Sequence, residues 1–221
     1  MNRSINILLM VVIFPTMLLT IIVGFDLPLD VLKTTGEQLQ YKEEIFLGFA
    51  TLLGLLVIRR SIRRWMGMRI VGKTQRFKWS QVVSKQRKMR VQTYLFLEGL
   101  VMGLVAFALY QVTEQAFAPA LALLIGVVDT IIFAIVGSNN RYRVGLSSKA
   151  LIVADREVTL LYFTGLRKIS LHQQTIYFDY VKDLQLSFPV NCVPEESREE
   201  FFQKLEEQVD TERVFFSRKM I

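Results

Sequence analysis

The stretch that decides the fold runs from Arg59 to Gln92 and reads RRSIRRWMGMRIVGKTQRFKWSQVVSKQRKMRVQ. It contains twelve Lys or Arg residues and no Asp or Glu. Apolar segments lie on either side of it, Ile45 to Ile58 and Tyr94 to Val112. Short loops rich in Lys and Arg stay on the cytoplasmic side of a membrane, because moving these charges across the bilayer is strongly disfavoured. The stretch therefore predicts a membrane protein and also its orientation.

Composition agrees with this prediction, because 52% of the 221 residues are hydrophobic and the mean hydropathy is +0.34. The net charge is +7, while residues 1–58, 93–137 and 138–221 carry −2, −3 and zero. One stretch therefore supplies the whole positive excess. A nucleic-acid partner is not expected, because no stacking aromatics or known nucleic-acid module accompany the charge.

The sequence predicts four transmembrane helices, at about residues 5–25, 41–58, 94–112 and 119–137, since about 20 apolar residues cross a hydrocarbon core. The second has an apolar run of only fourteen residues. It spans if Tyr41 sits in one interface while Arg59 and Arg60 snorkel at the other. The first is expected to be an uncleaved helix, because Gly24 to Pro28 does not form a small-x-small cleavage site.

Loop charge predicts the orientation of these helices. The connection from Asp26 to Glu44 holds two Lys against five acidic residues and is expected outside. Residues 59–92 are expected inside. The prediction is a multi-pass protein of the bacterial cytoplasmic (inner) membrane with both termini in the cytoplasm, in which 1–137 form the transmembrane domain and 138–221 a cytoplasmic domain.

The basic hairpin, residues 59–92, combines cations with apolar residues at helical spacing, such as Ile62, Trp65 and Met66, and again Trp79 and Val83. This pattern is typical of a helix at an anionic membrane surface. The alternatives are a topology signal alone, or a specific acidic partner or lipid site. The predicted contact residues are Arg59, Arg60, Arg63, Arg64, Trp65, Arg69, Lys73, Arg76, Lys78, Trp79, Lys85, Arg87, Lys88 and Arg90.

Two acidic residues, Glu98 and Asp129, fall inside predicted spans, at depths on the order of 8 and 12 Å from the cytoplasmic side. Intramembrane acids are costly and often functional, so one hypothesis is a proton or cation relay. The alternative is structural. Glu98 then reaches a cation of the basic hairpin, and Asp129 bonds Thr130, Thr51 or a partner subunit.

Two glycines in the third predicted span, Gly99 and Gly103, form a small-xxx-small pair. Such a pair permits close approach of a neighbouring helix.

After residue 137 the sequence changes to six short β-rich runs separated by turn signals, which predicts an antiparallel meander. The runs are 142–146, 150–154, 158–163, 167–171, 175–180 and 184–188. An amphipathic helix is predicted at 194–209, with Pro194 in its first turn and Phe201 and Leu205 on one face. Residues 213–216 either add a strand or touch the membrane.

Three short segments carry a family resemblance: the strand Arg167 to Leu171, the strand end Leu186 to Pro189, and the helix start Pro194 to Glu196. With the preceding spans, residues 142–209 resemble bacterial membrane proteins that have a cytoplasmic PH-like domain of the YcxB-like sort. The resemblance implies an α+β membrane protein whose small antiparallel β domain is closed by a C-terminal helix. It implies no activity, because such domains are mostly scaffolds or binding surfaces.

Catalysis is not expected. One cysteine and one histidine exclude an intrachain disulfide and a Cys/His metal cluster, and no catalytic or nucleotide-binding motif occurs. No cofactor, metal or catalytic residue is predicted. The expected function is a scaffold, anchor or regulatory subunit that contacts anionic headgroups, other membrane-protein subunits or a second copy. The alternative is a small proton- or cation-coupled translocation subunit using Glu98 and Asp129. An enzyme acting on lipid ranks last.

Overall fold

The structure, a computed structural model, describes residues 2–29, 33–181, 183–209 and 214–216. Within these residues the α-helices are α1 (Asn2–Gly24), α2 (Lys42–Gly72), α3 (Lys85–Val112), α4 (Phe117–Ser138) and α5 (Arg198–Gln208). The first four are long and apolar enough to cross a membrane. The described residues therefore confirm an α+β protein with four long apolar helices, then a β-rich region and a C-terminal helix.

Two of these helices extend far beyond their apolar parts. α2 has 31 residues and α3 has 28, which correspond to about 46 and 42 Å of helix against a hydrocarbon core of roughly 30 Å. The predicted bounds 41–58 and 94–112 mark only the apolar parts, because helix formation continues through Arg and Lys, which are good helix formers. Much of the basic hairpin is therefore helical.

The strands begin with a two-residue antiparallel pair, β1 (Pro28–Leu29) and β2 (Thr34–Thr35). Eight more follow: β3 (Trp79–Val82), β4 (Arg143–Leu146), β5 (Ala150–Ala154), β6 (Val158–Tyr162), β7 (Leu166–His172), β8 (Thr175–Tyr180), β9 (Gln185–Pro189) and β10 (Phe215–Phe216). The six predicted runs correspond to β4 to β9 and are confirmed as strands.

These eight strands form two sheets, in the orders β3-β4-β5-β6 and β10-β7-β8-β9. All neighbours are antiparallel except β10, which pairs parallel to β7 with Phe215 opposite Lys168. The described part of 213–216 thus adds a strand; Arg213 lies outside the described residues. The predicted helix 194–209 is present as α5, after one 3₁₀ turn at Glu195–Ser197.

The pattern around Trp79 predicted a helix, but Trp79–Val82 is strand β3, with Trp79 opposite Leu146 and Val82 opposite Arg143. The physical reason is a long-range pairing, because β4 supplies the backbone partners from more than sixty residues further along the chain. Part of the basic hairpin therefore belongs to the same sheet as residues after 137.

The chain divides into two compact units, residues 1–63 with 94–134 and residues 64–93 with 135–221. We call the first the helical unit and the second the β unit. In the helical unit the buried core includes Leu9, Val23, Phe46, Leu53, Val57, Met102, Leu109 and Leu123. In the β unit the fully buried ring of Phe201 from α5 packs on Trp79 and Phe188, at centroid distances of 5.2 and 5.7 Å.

The predicted small-xxx-small pair, Gly99 and Gly103, lies on the side of α3 that faces α4, but the packing there leaves room for a methyl group. A Cβ added at Gly99 or Gly103 would lie 4.0 Å from a methyl group of Thr130 or Val127. The tighter position is Gly126 on α4, where an added Cβ would lie 2.6 Å from Met102 Cε of α3 and 3.1 Å from Val57 Cγ2 of α2. The three helices are thus packed at van der Waals contact around Gly126.

Candidate functional site

An ion pair joins α2 to α3 inside the helical unit. Arg60 of α2 pairs with Glu98 of α3, and their side chains are 8% and 18% exposed. Arg60 Nη1 also lies 3.7 Å from Met102 Sδ. Arg60 continues the buried stripe of Leu53 and Val57, so its guanidinium is desolvated. A buried cation is tolerated only with a close counter-charge, which Glu98 supplies.

The next residue of α2 contacts α4. Ser61 Oγ donates a hydrogen bond of 2.7 Å to Asp129 Oδ1. The other hydroxyls considered from the sequence donate within their own helices: Thr130 to the Gly126 carbonyl at 2.8 Å and Thr51 to the Leu47 carbonyl at 2.9 Å. Ser61 is a partner that the sequence analysis missed, because nothing local distinguishes it from other small hydroxyl residues.

Two consecutive residues of α2 therefore engage the two acidic residues that the sequence singled out. Glu98 contacts a cation of the basic hairpin, which was one of the predicted alternatives. Asp129 contacts a hydroxyl from the same helix. We call these contacts, Arg60–Glu98 and Ser61–Asp129, the α2 clamp. Chemically, the clamp offsets the cost of polar groups between apolar helices and fixes the rotation of α2 against α3 and α4.

A second ion pair, with a buried carboxylate and a half-buried guanidinium, lies in the β unit. Arg87, in the first turn of α3, donates from Nε and Nη2 to Asp155 Oδ2 at 2.9 and 2.8 Å. Asp155 is buried in the β5–β6 turn, where its Oδ1 accepts the Glu157 N–H. Nothing local in the sequence connects Asp155 with Arg87, because the two residues are 68 positions apart.

Arg64 and Tyr142 are also buried in the β unit. Burial raises the pKa of Tyr142; the positive charge of Arg64 opposes this shift and the negative charge of Asp155 adds to it. Burial likewise raises the pKa of the Cys192 thiol to about 12, against a weaker lowering by Arg87. A thiol with this pKa is protonated at neutral pH and is a poor nucleophile.

The predicted contact residues thus fall into three groups. Arg60 and Arg64 are buried, Arg87 is paired with Asp155, and Trp79 is buried against Phe201. Arg63, Trp65 and Lys88 are half-buried, and Lys88 Nζ lies 3.3 Å from Asn140 Oδ1. The remainder are exposed: Arg59, Arg69, Lys73, Arg76, Lys78, Lys85 and Arg90. Charge counting in the sequence does not separate these groups, because the difference lies in which face of each helix is covered.

Part of α2 presents a distinct surface, which we call the basic-apolar face: Trp65, Met66, Arg69 and Ile70. Met66 and Ile70 are 53% and 45% exposed, and Arg69 is exposed beside them. The opposite side of the same turns, Gly67, Met68 and Val71, is covered by protein. A Cβ added at Gly67 would collide with the Val158 side chain of β6.

Among the described residues, no group of three or more His, Cys, Asp or Glu side chains is placed to hold a metal ion. Comparisons with protein-family models, with curated proteins and with solved structures gave no match for this chain.

Proposed function

We propose that this chain is a multi-pass protein of the bacterial cytoplasmic membrane that acts without catalysis as a scaffold, anchor or regulatory subunit of a larger membrane complex. In this proposal α1 to α4 span the bilayer and both termini are cytoplasmic. The length and apolar character of the four helices support insertion. Large apolar side chains that point away from the helical unit, such as Phe14 and Phe96, suit contact with lipid.

The observation that carries the orientation is the pairing of β3 with β4. These strands lie on either side of α3 and α4 in the sequence, yet they belong to one sheet. Paired strands must be on the same side of a membrane. The pairing therefore supports an even number of crossings between them, as a hairpin of α3 and α4 provides. The positive charge of residues 59–92 favours the cytoplasm for that side.

The α2 clamp supports a structural role for the two acidic residues. A translocation subunit needs ionisable groups along a path that water or ions can reach. Here Glu98 and Asp129 each contact one of two consecutive residues on a single neighbouring helix. That arrangement suits a fixed helix packing, and it favours a scaffold over the translocation alternative.

The β unit supports a docking role. Consecutive antiparallel strands in two sheets, with Phe201 and Leu205 of α5 fully buried, suit a PH-like domain closed by its C-terminal helix. Such domains serve mostly as scaffolds or binding surfaces. Its first strand, β3, comes before α3 and α4 in the sequence, and its second strand, β4, comes after them. The domain is therefore discontinuous in sequence, with two candidate spans inserted between its first two strands.

Crosslinking in native membranes tests the proposal. Full-length tagged protein is crosslinked in situ and purified, and a discrete set of membrane-protein partners is expected. In parallel, the purified protein is reconstituted in liposomes to measure proton and cation flux. No flux above empty liposomes is expected. Flux that disappears in Glu98→Gln or Asp129→Asn, with an unchanged melting temperature, would establish the translocation function instead.

A further inference from the structure

We infer that the basic-apolar face of α2 binds anionic phospholipid headgroups at the cytoplasmic surface of the bilayer. This inference deepens the proposed function and rests on the insertion of α2 in a membrane. It names one ligand class, a phosphate-bearing lipid headgroup, and one set of residues: Trp65, Met66, Arg69 and Ile70, with Lys73 directly after the helix.

Packing within the β unit fixes which side of α2 is covered and which side is exposed. Val71 is fully buried and Met68 nearly so, and Gly67 faces Val158 so closely that a methyl group does not fit. This side of the helix is held against the β unit. Because residues three and four apart share a helix face, Met66 and Ile70 are held pointing away from it.

The length of α2 places the basic-apolar face at the depth of the lipid headgroups. About 20 residues of helix cross the hydrocarbon core. Counted from Ile45, where the apolar run of α2 begins, that length ends near Arg64. The headgroup layer extends roughly 5–8 Å further, which is about four or five residues at 1.5 Å each. Trp65 to Arg69 therefore falls in the headgroup layer, where Trp is enriched in membrane proteins, and Ile70 lies at the outer edge of this layer.

This count also explains the short apolar run of α2. Between Ile58 and Arg64, exposed Ile62 continues the outward apolar stripe, and Arg60 points inward and is paired with Glu98. Exposed Arg59 lies on the outward side, where its long side chain snorkels towards the headgroups. The lipid-facing surface of α2 thus extends beyond the fourteen apolar residues visible in the sequence.

The charge around the basic-apolar face is positive and suits an anionic headgroup. Residues 59–92 contain no carboxylate, so a phosphate approaching Arg69 and Lys73 meets no acidic residue of this segment. Guanidinium groups bind phosphate oxygens in a bidentate manner. An acidic protein could also neutralise Arg69 and Lys73. An anionic lipid neutralises these cations, covers the apolar side chains of Met66 and Ile70, and is already present at this depth. The lipid is therefore the favoured ligand.

Tryptophan quenching tests the inference in the full-length protein. The protein is reconstituted in phosphatidylcholine vesicles that contain a small, equal fraction of either brominated phosphatidylglycerol or brominated phosphatidylcholine. The chain has two tryptophans, and Trp79 is buried in the β unit. Subtracting the signal of a Trp65→Phe variant isolates Trp65. We expect stronger quenching of Trp65 by the brominated phosphatidylglycerol.

The matched variants are Arg69→Gln with Lys73→Gln, and, as a control, Lys149→Gln with Arg167→Gln, which removes two exposed cations elsewhere in the β unit. The first pair is expected to weaken phosphatidylglycerol binding about fivefold for each cation removed, and the control to leave it unchanged.

Three results would overturn the inference: equal quenching by the two lipids, no quenching by either, or preference retained after Arg69→Gln with Lys73→Gln. If the lipid preference is absent but these variants lose a crosslinked protein partner, the face binds an acidic protein. If flux is found in liposomes while the lipid preference holds, the scaffold function fails and the lipid site stands.

Discussion

At the scale of single residues, a buried charged side chain is sensitive to substitution, because it needs a close counter-charge. Arg60 lies on the inward side of α2 with Glu98 as its counter-charge. Removal of one partner leaves the other buried and uncompensated, and breaking such a pair costs about 3–5 kcal/mol. We therefore expect Glu98→Gln to destabilise the protein by an amount in that range, measured by denaturant unfolding in detergent.

The matched control for this prediction is Glu206→Gln, which removes one exposed carboxylate from α5. The double variant Arg60→Met with Glu98→Gln removes both charges and is expected to recover much of the loss. Equal stability of Glu98→Gln and Glu206→Gln would show that the ion pair does not stabilise the helical unit.

Cys192 provides a second prediction for a single residue. Burial raises the pKa of its thiol from 9.0 to about 12, so its thiolate population near pH 8 is about a thousandfold below that of an ordinary cysteine. We expect slow reaction with a maleimide in the folded protein and rapid reaction after unfolding. A Ser148→Cys variant supplies an exposed thiol for comparison; equal rates at the two positions would contradict the burial of Cys192.

The raised pKa of Cys192 also predicts how the free energy of unfolding changes with pH. Between pH 9 and 12 the unfolded chain loses the Cys192 proton while the folded chain retains it. The stability contributed by the neutral thiol is therefore fully present below about pH 9 and is lost as the pH rises towards 12. Tyr142, whose pKa burial also raises, acts in the same direction. We expect the free energy of unfolding to fall in this alkaline range, and a smaller fall in Cys192→Ala.

At the scale of elements, the packing of α2 on β6 is open to a test on one helix. Gly67→Ala places a methyl group against the branched Val158 side chain, whose rotamer is stiff. We expect a loss of about 1–3 kcal/mol. Gly72→Ala, at the end of the same helix, meets nothing within 4 Å and is expected to be neutral. Thermal melting compares the two; equal stability would show that α2 does not pack closely on β6.

Predictability also differs between elements for physical reasons. Strands β4 to β9 were predicted to within about two residues, because each carries its own β-rich run and is bounded by turn residues. β3 was not, because its partner β4 lies beyond two intervening helices. The ends of α2 and α3 exceeded the predicted spans because hydropathy reports the solvent around a helix, whereas backbone hydrogen bonding continues through Arg and Lys.

At the candidate site, too, contacts that depend on tertiary packing could not be predicted from the sequence. The contact of Glu98 with a basic-hairpin cation was among the alternatives seen in the sequence, since opposite charges at similar depth attract. The partner of Asp129 was not identified, because Ser61 resembles the other hydroxyl residues nearby. Which cations of residues 59–92 are buried depends on tertiary packing, so the charge pattern did not separate Arg60 and Arg64 from Arg69.

At the scale of the whole molecule, the proposed function depends on how the chain is oriented in the membrane. The pairing of β3 with β4 favours the same side of the membrane for residues 64–93 and 135–221. Independently, the positive charge of residues 59–92 favours the cytoplasm for that side. The connections 25–41 and 113–116 are then expected on the opposite side of the membrane.

Cysteine labelling tests this orientation most directly. On a Cys192→Ala background, single cysteines replace four exposed residues, Gln38, Glu114, Thr74 and Ser148. A membrane-impermeant maleimide is added to cells whose outer envelope is open and whose cytoplasmic membrane is intact. The account predicts labelling at Gln38 and Glu114 in intact cells, and at Thr74 and Ser148 only after permeabilisation. Labelling of Ser148→Cys in intact cells, or of Glu114→Cys only after permeabilisation, would contradict the account.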